Sequence, residues 1–386
     1  MDFSFSEQEE LFKRAVRDFS GKELAPRAAE IDTQASFPAD LLPKMGDLGV
    51  FGILLPCSFD GSDAGMLSYL LAVEEISAAC ASTGFTVVVS ASLAFAVNAF
   101  GNEELKSKVL PRMASGQAMG SVAISEPFAG EDIAAVQTTA KDEGDYYRLN
   151  GTKVFISNAG LSQFYGVMAK TAPEKGPAGL SMLVVEKGTP GFTIGKVETK
   201  MGLRGHPVAE LIFDDCLVPK KNLLATEGAG MQIFMAFGGP ALLGCGASSI
   251  GIARAAFEKA AAYAKERYTF GQPIGKHQAV QMMIFDVAAA IESSRLLLHR
   301  TALGFERGLM NPPDLFMAKM LATEMAIDVT YKAMQIHGGY GYSTEYPLER
   351  HFRDARAHTL HMQTPEIART LGASIMLGFG PPGSEH

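Results

Sequence analysis

Two long stretches of this chain carry no charge. Asp, Glu, Lys and Arg are all absent from Ile76 to Asn102, 27 residues, and again from Gly228 to Ala253, 26 residues. Such a run is either a membrane span, for which about 20 apolar residues suffice, or a helix sunk in the interior of a large protein. The residues inside the runs favour the interior. The first holds Ser77, Ser82, Thr83, Gly84, Ser90, Ser92 and Asn98, and the second is rich in glycine and contains Pro240. Small and polar residues at that density suit helices packed on other helices, so no membrane insertion is expected. No basic segment follows Met1, so no signal peptide is expected and the chain reads as cytoplasmic.

At 386 residues the chain can bury a large core in two or three domains. Its formal charge of −8 argues against a nucleic-acid or anionic-membrane partner. Cys57, Cys80, Cys216 and Cys245 are far apart, without CxxC spacing, and read as free thiols in a reducing compartment. His358 and His361 form the one close histidine pair. No carboxylate or cysteine stands at ligand spacing beside them, so no metal site is expected.

The pattern along the chain implies an α+β protein in three parts: a helical N-terminal domain (1–118), a middle antiparallel β domain (119–228) and a C-terminal helical bundle (229–386). Ser6-Glu7-Gln8-Glu9 is a capping box, followed by Leu11, Phe12, Ala15, Val16 and Phe19 on one helix face. Pro38 precedes another helix, and Leu70 to Ala79 and Ala91 to Phe100 read as helical. From Met119 to about Leu224 short apolar runs alternate with Gly and Pro. Tyr146–Leu149 and Lys153–Ile156 flank Asn150-Gly151, which predicts a hairpin with a type I′ turn. Helical periodicity returns over Ile252–Tyr268, Gln278–Arg307 and Pro313–His337, stops at Gly338-Gly339-Tyr340-Gly341, and resumes over Pro365–Leu377.

Several ordered segments carry a resemblance. Ala123-Ile124-Ser125-Glu126-Pro127-Phe128-Ala129-Gly130-Glu131-Asp132 resembles the TEPxAGSD signature of acyl-CoA dehydrogenases. Lys153–Gly160, Met201–Gly205, Phe213–Pro219, Arg267–Gly271, His277-Gln278, Gln335–Gly339 and Arg353–Arg356 are similar to that family's further motifs, in the same order and over nearly the whole chain. The resemblance implies that family's fold, FAD at the domain junction, an acyl thioester substrate on CoA or a carrier protein, and a homotetramer. It also implies an electron-transfer flavoprotein or another electron acceptor. An isoalloxazine needs an apolar or aromatic wall and hydrogen bonds to its polar edge. By resemblance Phe155 is the wall, Ser125 and Ser157 give hydroxyls, and backbone near Ile124 assists. Gly130 admits the pyrophosphate. Arg267 and Phe270 of a neighbouring subunit clamp pyrophosphate and adenine, Gln335, Gly338 and Gly339 complete the adenosine site, and Gln278 and Thr364 are further cofactor contacts.

The chain departs from the family at its base. Eight residues after Asp354, where relatives carry a glutamate, stands Met362, and the alternative base position on the helix after the β domain falls at Ala241, followed by Leu242. Removing an α-proton without a positioned base forfeits roughly a hundred- to ten-thousand-fold in rate. His361, beside the empty position, and Glu366, one turn further on, are the candidate catalytic residues. Their ordinary alternatives are a pocket-wall histidine and a solvated or Arg-paired carboxylate. Glu131 replaces the signature serine near the pyrophosphate, which is unfavourable unless it points away or pairs with a cation. Small residues at Gly238, Gly239 and Ala241 suggest a wide pocket for a bulky acyl group. Three functions remain open: an FAD-dependent acyl-thioester oxidoreductase with a relocated base, a catalytically silent subunit of a heteromeric enzyme, and a non-oxidative, sulfinate-eliminating lyase.

Overall fold

The structure is a computed structural model that describes residues 4–379. Its first part is helical. Helix α1 (Glu7–Phe19) starts at the expected capping box: Ser6 Oγ accepts from the Glu9 N–H at 3.2 Å and the Glu9 carboxylate accepts from the Ser6 N–H at 2.6 Å. Helices α2 (Ala28–Gln34), α3 (Leu42–Asp47), α4 (Gly65–Ala79), α5 (Ala81–Phe100) and α6 (Glu103–Ala114) follow. Extended backbone at Cys80 separates α4 from α5, and the Asn102 side chain caps α6.

The middle part is a sheet of β1 (Gly120–Ala123), β2 (Thr139–Asp142), β3 (Tyr146–Ser157), β4 (Phe164–Lys170), β5 (Leu180–Glu186), β6 (Phe192–Val197) and β7 (Val208–Pro219). The strand order is β1-β4-β2-β3-β7-β6, with β5 on the other edge of β4. Most pairs are antiparallel, but β4 runs parallel to β1 and to β2. Asn150-Gly151 does not turn a hairpin. Its two flanks form one continuous strand, and the register against β7 slips between Leu149 and Gly151. The pair is a bulge, held by the Asn150 amide donating to Asp215 Oδ1 at 3.1 Å while Asn150 Oδ1 accepts from the Asp215 N–H at 2.8 Å. The local dipeptide signal lost to pairing along the full length of β7.

The last part begins with α7 (Gly230–Glu266), 37 residues that run unbroken through Pro240. A two-stranded hairpin, β8 (Tyr268–Thr269) and β9 (Gln272–Pro273), turns at Phe270-Gly271, whose φ values of +52° and +78° are those of a type I′ turn. Then come α8 (Gln278–Glu306), α9 (Pro312–His337), the short α10 (Gly339–Tyr342), α11 (Leu348–His358) and α12 (Pro365–Met376).

The two charge-free runs hold the last turn of α4 with all of α5, and the first two-thirds of α7. Helices α5 and α7 are long and apolar enough to cross a bilayer, and both are mostly buried inside the fold. They pack on α4, on each other and on the sheet. Close approach explains their small residues. A Cβ on Gly84 would stand 2.0 Å from Ser77 Oγ, and one on Gly251 would stand 2.4 Å from the Glu74 carbonyl oxygen. Where α5 meets the sheet, Leu93 presses on Gly120 and Gly166, at 3.0 and 2.7 Å from the Cβ each lacks.

Candidate active site

Phe155 is the most unusual aromatic in the β domain. It sits in a second bulge of β3, between Lys153 and Ile156, with φ +54° and 68% exposure. A left-handed backbone at a bulky residue costs energy, and a bulge beside a site is a recurring way to re-aim a side chain. Here it turns the ring out of the sheet. The backbone around it is held from inside. Lys153, fully buried, donates to the Ile124 carbonyl at 2.9 Å and to Glu126 Oε1 at 2.7 Å, while the Val154 N–H donates to the Ser125 carbonyl at 2.9 Å. Burial pulls Lys153 down to about 8 against the attraction of Glu126. Burial alone would raise Glu126, but hydrogen bonds from Lys153 and Thr138 hold it below its ordinary value.

The expected ring-edge residues gather around this frame. The Ser125 and Ser157 hydroxyls have no protein hydrogen-bond partner among the described residues, and both side chains are partly exposed. Gly130 is exposed, and a Cβ there would meet nothing within 4 Å. Glu131 pairs with no cation among the described residues. Its carboxylate accepts from the Thr364 N–H at 2.7 Å and from Thr364 Oγ1 at 3.2 Å, at the N-terminus of α12, where a negative charge is favoured. Thr364 also caps that helix through the Ile367 N–H. The Glu131–Thr364 contact ties the β domain to the C-terminal helices and brings the Gly130 loop beside the segment 361–366.

Met362 lies in that segment, 37% exposed, with φ +65°. The Gln363 N–H donates to the His361 carbonyl at 2.7 Å, so the residue at the expected base position is the centre of a γ-turn of the strained, positive-φ kind. Lys319 of α9, fully buried, props the turn by donating to the Gln363 carbonyl. His361 stacks on Phe85 of α5 with ring centroids 4.2 Å apart. Burial, followed by the charges of Lys319 and Lys200, lowers His361 to about 3, which makes it a feeble proton acceptor. Glu366 is exposed on α12, and its carboxylate makes no hydrogen bond or ion pair among the described residues. Ala241 and Leu242 are buried in α7.

A second group of expected residues lies elsewhere. Arg267, Gln335, Gly338 and Gly339 line one cleft of about 530 Å³ at the C-terminal ends of α7 and α9. Arg267 lies over the Tyr340 ring at 6.0 Å. Gly338 has φ +61°, ψ −138°, a conformation essentially reserved for glycine, and both glycines face open space. Phe270 at the hairpin tip is 95% exposed, and Gln278 opens α8 in solvent. The two groups are far apart in one chain. Lys319, which touches the Met362 turn, and Gln335, which lines the cleft, are 16 residues apart on α9, about 24 Å at 1.5 Å per residue.

The wide pocket expected from Gly238, Gly239 and Ala241 is not present as such. A Cβ on Gly239 would stand 2.2 Å from the Phe305 ring, so α8 fills the space that the glycine leaves, while Gly238 faces open space. Residues with no local sequence signal also enter the site. Phe85 and His358 lie against His361, His206 packs on the same Phe85 ring, Ser248 bonds His358, and Asp354 holds the loop before β7 by accepting from the Leu203 N–H at 2.6 Å. The His358–His361 pair was visible as a spacing; its serine and aromatic partners come from helices more than a hundred residues away.

An exposed aromatic with free hydroxyls at its side, an open glycine loop, and a distant arginine-and-glycine cleft form a donor set that fits FAD divided over two surfaces. Family models for the N-terminal, middle and C-terminal domains of acyl-CoA dehydrogenases match residues 6–117, 121–216 and 228–377. The chain belongs to the acyl-CoA dehydrogenase family, a class of FAD-dependent enzymes that act on acyl thioesters. It is 41% identical to a short-chain specific acyl-CoA dehydrogenase of Clostridium acetobutylicum over 96% of this chain and 98% of that one. It is 42% identical to an acryloyl-CoA reductase (NADH) of Anaerotignum propionicum, over 96% and 95%. The solved structure of butyryl-CoA dehydrogenase from Megasphaera elsdenii superposes with a TM-score of 0.96 at 37% identity, covering 98% of this chain and all of that one.

Proposed function

We propose that this protein is an FAD-dependent oxidoreductase of short acyl thioesters, assembled as a homotetramer, in which neither of the family's usual base positions carries a base. The reading rests on Phe155, an aromatic held out of its strand at energetic cost beside two unpartnered serine hydroxyls. FAD, when bound, supplies the acceptor for a hydride from the substrate's β-carbon, and the α-proton leaves to Glu366, the exposed carboxylate four residues after Met362, or through it to solvent. Phe155 gives the FAD ring a wall, Ser125, Ser157 and backbone near Ile124 bind its polar edge, and Gly130 leaves room for the pyrophosphate. The Arg267, Phe270, Gln278, Gln335, Gly338 and Gly339 group of a second copy binds the adenosine end, since in one chain Lys319, which props the Met362 turn, and Gln335, which lines the cleft, are about 24 Å apart along α9. An electron-transfer flavoprotein or comparable acceptor then reoxidises the enzyme, in the cytoplasm.

Anaerobic titration of the flavoprotein with a panel of acyl-CoAs and acyl-carrier proteins, read by flavin bleaching and product mass, tests this. Bleaching with formation of an enoyl product is the expected result. A second reading is favoured by Met362 and Ala241 and by Glu131, which already occupies Thr364: a silent subunit that binds a homologous active partner. Flavin that stays oxidised with every thioester, but bleaches once a homologous subunit is co-purified, would establish that reading instead.

A further inference from the structure

The two charge-free runs meet at a buried hydrogen bond. Ser77 lies at the start of the first run, in α4, and Ser248 lies in the second, in α7. Ser77 Oγ donates to Ser248 Oγ at 2.9 Å. The approach is possible because Gly84 and Gly251 present no side chain where α5 and α7 cross Ser77. Both serines are buried. Ser248 Oγ also lies 2.8 Å from His358 Nε2, and His358 Nδ1 lies 3.4 Å from His361 Nδ1. The Cys245 thiol steadies the end of α11 by pointing at the His358 carbonyl at 3.7 Å. A continuous chain of polar atoms thus runs from α4 through α7 to the residue before Met362.

The order of donors in this chain can be worked out from its inner end. Ser248 receives the Ser77 hydrogen, and among the described residues its own hydrogen has no other acceptor than His358 Nε2. His358 is therefore protonated on Nδ1, the atom that faces His361. His361 Nδ1 is then the acceptor, and the hydrogen of His361 sits on Nε2. For His361 to take up a proton, its Nδ1 would have to carry a hydrogen facing another N–H, unless His358, Ser248 and Ser77 all reversed. The nearby cations add to this resistance. Lys319 and Lys200 both bear on His361, and both histidines are held neutral, chiefly by burial.

The third imidazole completes the picture. Thr86 Oγ1 donates to the Ser82 carbonyl at 3.1 Å, so the His206 Nδ1–H, 2.9 Å away, donates to Thr86. His206 Nε2 is left as a buried acceptor without a partner. Phe85 touches all three imidazoles, with centroids at 5.1 Å from His206, 4.9 Å from His358 and 4.2 Å from His361.

We propose that the Ser77–Ser248–His358 relay fixes His361 as a neutral Nε2–H donor, which hydrogen-bonds an oxygen of the bound acyl thioester, and that His361 is not the proton acceptor. Ser77, Ser248 and His358 are positioning residues. The substrate part of this inference rests on the acyl-thioester reading above; the relay does not. Two experiments separate them. Neutron diffraction from perdeuterated crystals of the flavoprotein reads the relay alone. Deuterium on His358 Nδ1 and His361 Nε2, with none on His361 Nδ1, is expected, whereas deuterium on His361 Nδ1 overturns the proposal whatever the substrate.

The second experiment is single-turnover flavin bleaching by His361→Gln and His361→Ala, each against butyryl-CoA and 3-hydroxybutyryl-CoA. Gln can donate but takes no proton. A donor role predicts that His361→Ala falls by about 10²–10³-fold, the range for losing a positioned oxyanion donor, while His361→Gln falls by less than about tenfold. A difference with both thioesters assigns the carbonyl oxygen, and a difference with the hydroxyacyl ester alone assigns the chain oxygen. An equal collapse of both variants sinks the donor assignment in favour of a base, and full rate in both removes His361 from the reaction. If the unsubstituted protein bleaches with no thioester, the functional reading fails and the neutron result still decides the relay.

Discussion

Asp354 is a fully buried carboxyl group with one backbone donor. It accepts from the Leu203 N–H at 2.6 Å, and Leu203 itself has φ +47°, so the acid pins a strained turn in the loop that leads to His206. Burial pushes Asp354 up to about 7, the Leu203 hydrogen bond opposing it. Since an unfolded aspartate titrates near 4, folding takes up a proton between roughly pH 4 and pH 7. Stability from this group is complete below the lower value and is lost as pH rises through the upper one. Asp354→Asn keeps an acceptor for Leu203 and has no charge to bury. Its chemical denaturation midpoint should fall less than the parent's between pH 5 and pH 8, with a relative gain of order 1–4 kcal/mol at pH 8. Parallel curves for the two proteins would show that Asp354 is ionised in the folded chain. Glu131 illustrates the opposite case at the same scale. Charge next to a phosphate site looked costly in isolation, yet the N–H of Thr364 at a helix start gives it a partner.

At the scale of elements, the seams between α4, α5 and α7 depend on missing side chains. Gly84→Ala puts a methyl 2.0 Å from Ser77 Oγ and 3.0 Å from Ser77 Cα, in a helix that cannot shift without moving α7 as well. Overpacking of this sort costs about 1–3 kcal/mol, and thermal unfolding should show it as a lowered Tm. Gly238→Ala in α7 meets nothing within 4 Å; there, the helix gain of roughly 0.5–1 kcal/mol from replacing glycine should leave the protein as stable or more so. Equal Tm changes for the two would mean that close packing does not account for these glycines. The polar residues in the same helices are consistent with this. Ser92 and Ser249 bond their own helix carbonyls four residues back, and Glu74 and Glu75, just before the first run, are paired by Arg17, Arg254 and Arg295.

The whole molecule presents the residues proposed to hold the cofactor in two groups, and the second includes exposed aromatic side chains. Phe270 is 95% exposed, and Tyr268 of the same hairpin and Met282 and Phe285 of α8 are exposed by 62, 60 and 75%. A left-handed Phe270 at a tight turn has, among the described residues, only the edge of His277 beside its ring, at 6.1 Å between centroids. If a second copy brings this tip to the Phe155 surface, one substitution must affect assembly and cofactor together. Phe270→Asp is expected to yield a smaller species in light scattering and to weaken FAD binding by about 2 kcal/mol, roughly 30-fold. A variant that dissociates yet keeps full FAD affinity would show that one chain binds the cofactor alone.

The residues by themselves determined the family, the helix–sheet–helix order and the interior position of the charge-free runs, because these follow from periodicity and from motifs that are contiguous in the chain. Counting eight residues from Asp354, the spacing that the family resemblance supplies, also gave the expectation of Met362 at the base position. Other features required the folded chain. Asn150-Gly151 carries a strong local turn signal, and pairing with β7 overrode it. The room implied by Gly239 was taken by Phe305, a residue 66 positions later. Most of all, the state of His361 could not be read locally. Its tautomer depends on a serine 113 positions earlier and on another 171 before that, and a hydrogen bond's direction is set by every partner in its chain. Sequence spacing shows which groups are present; only packing decides which of them donates.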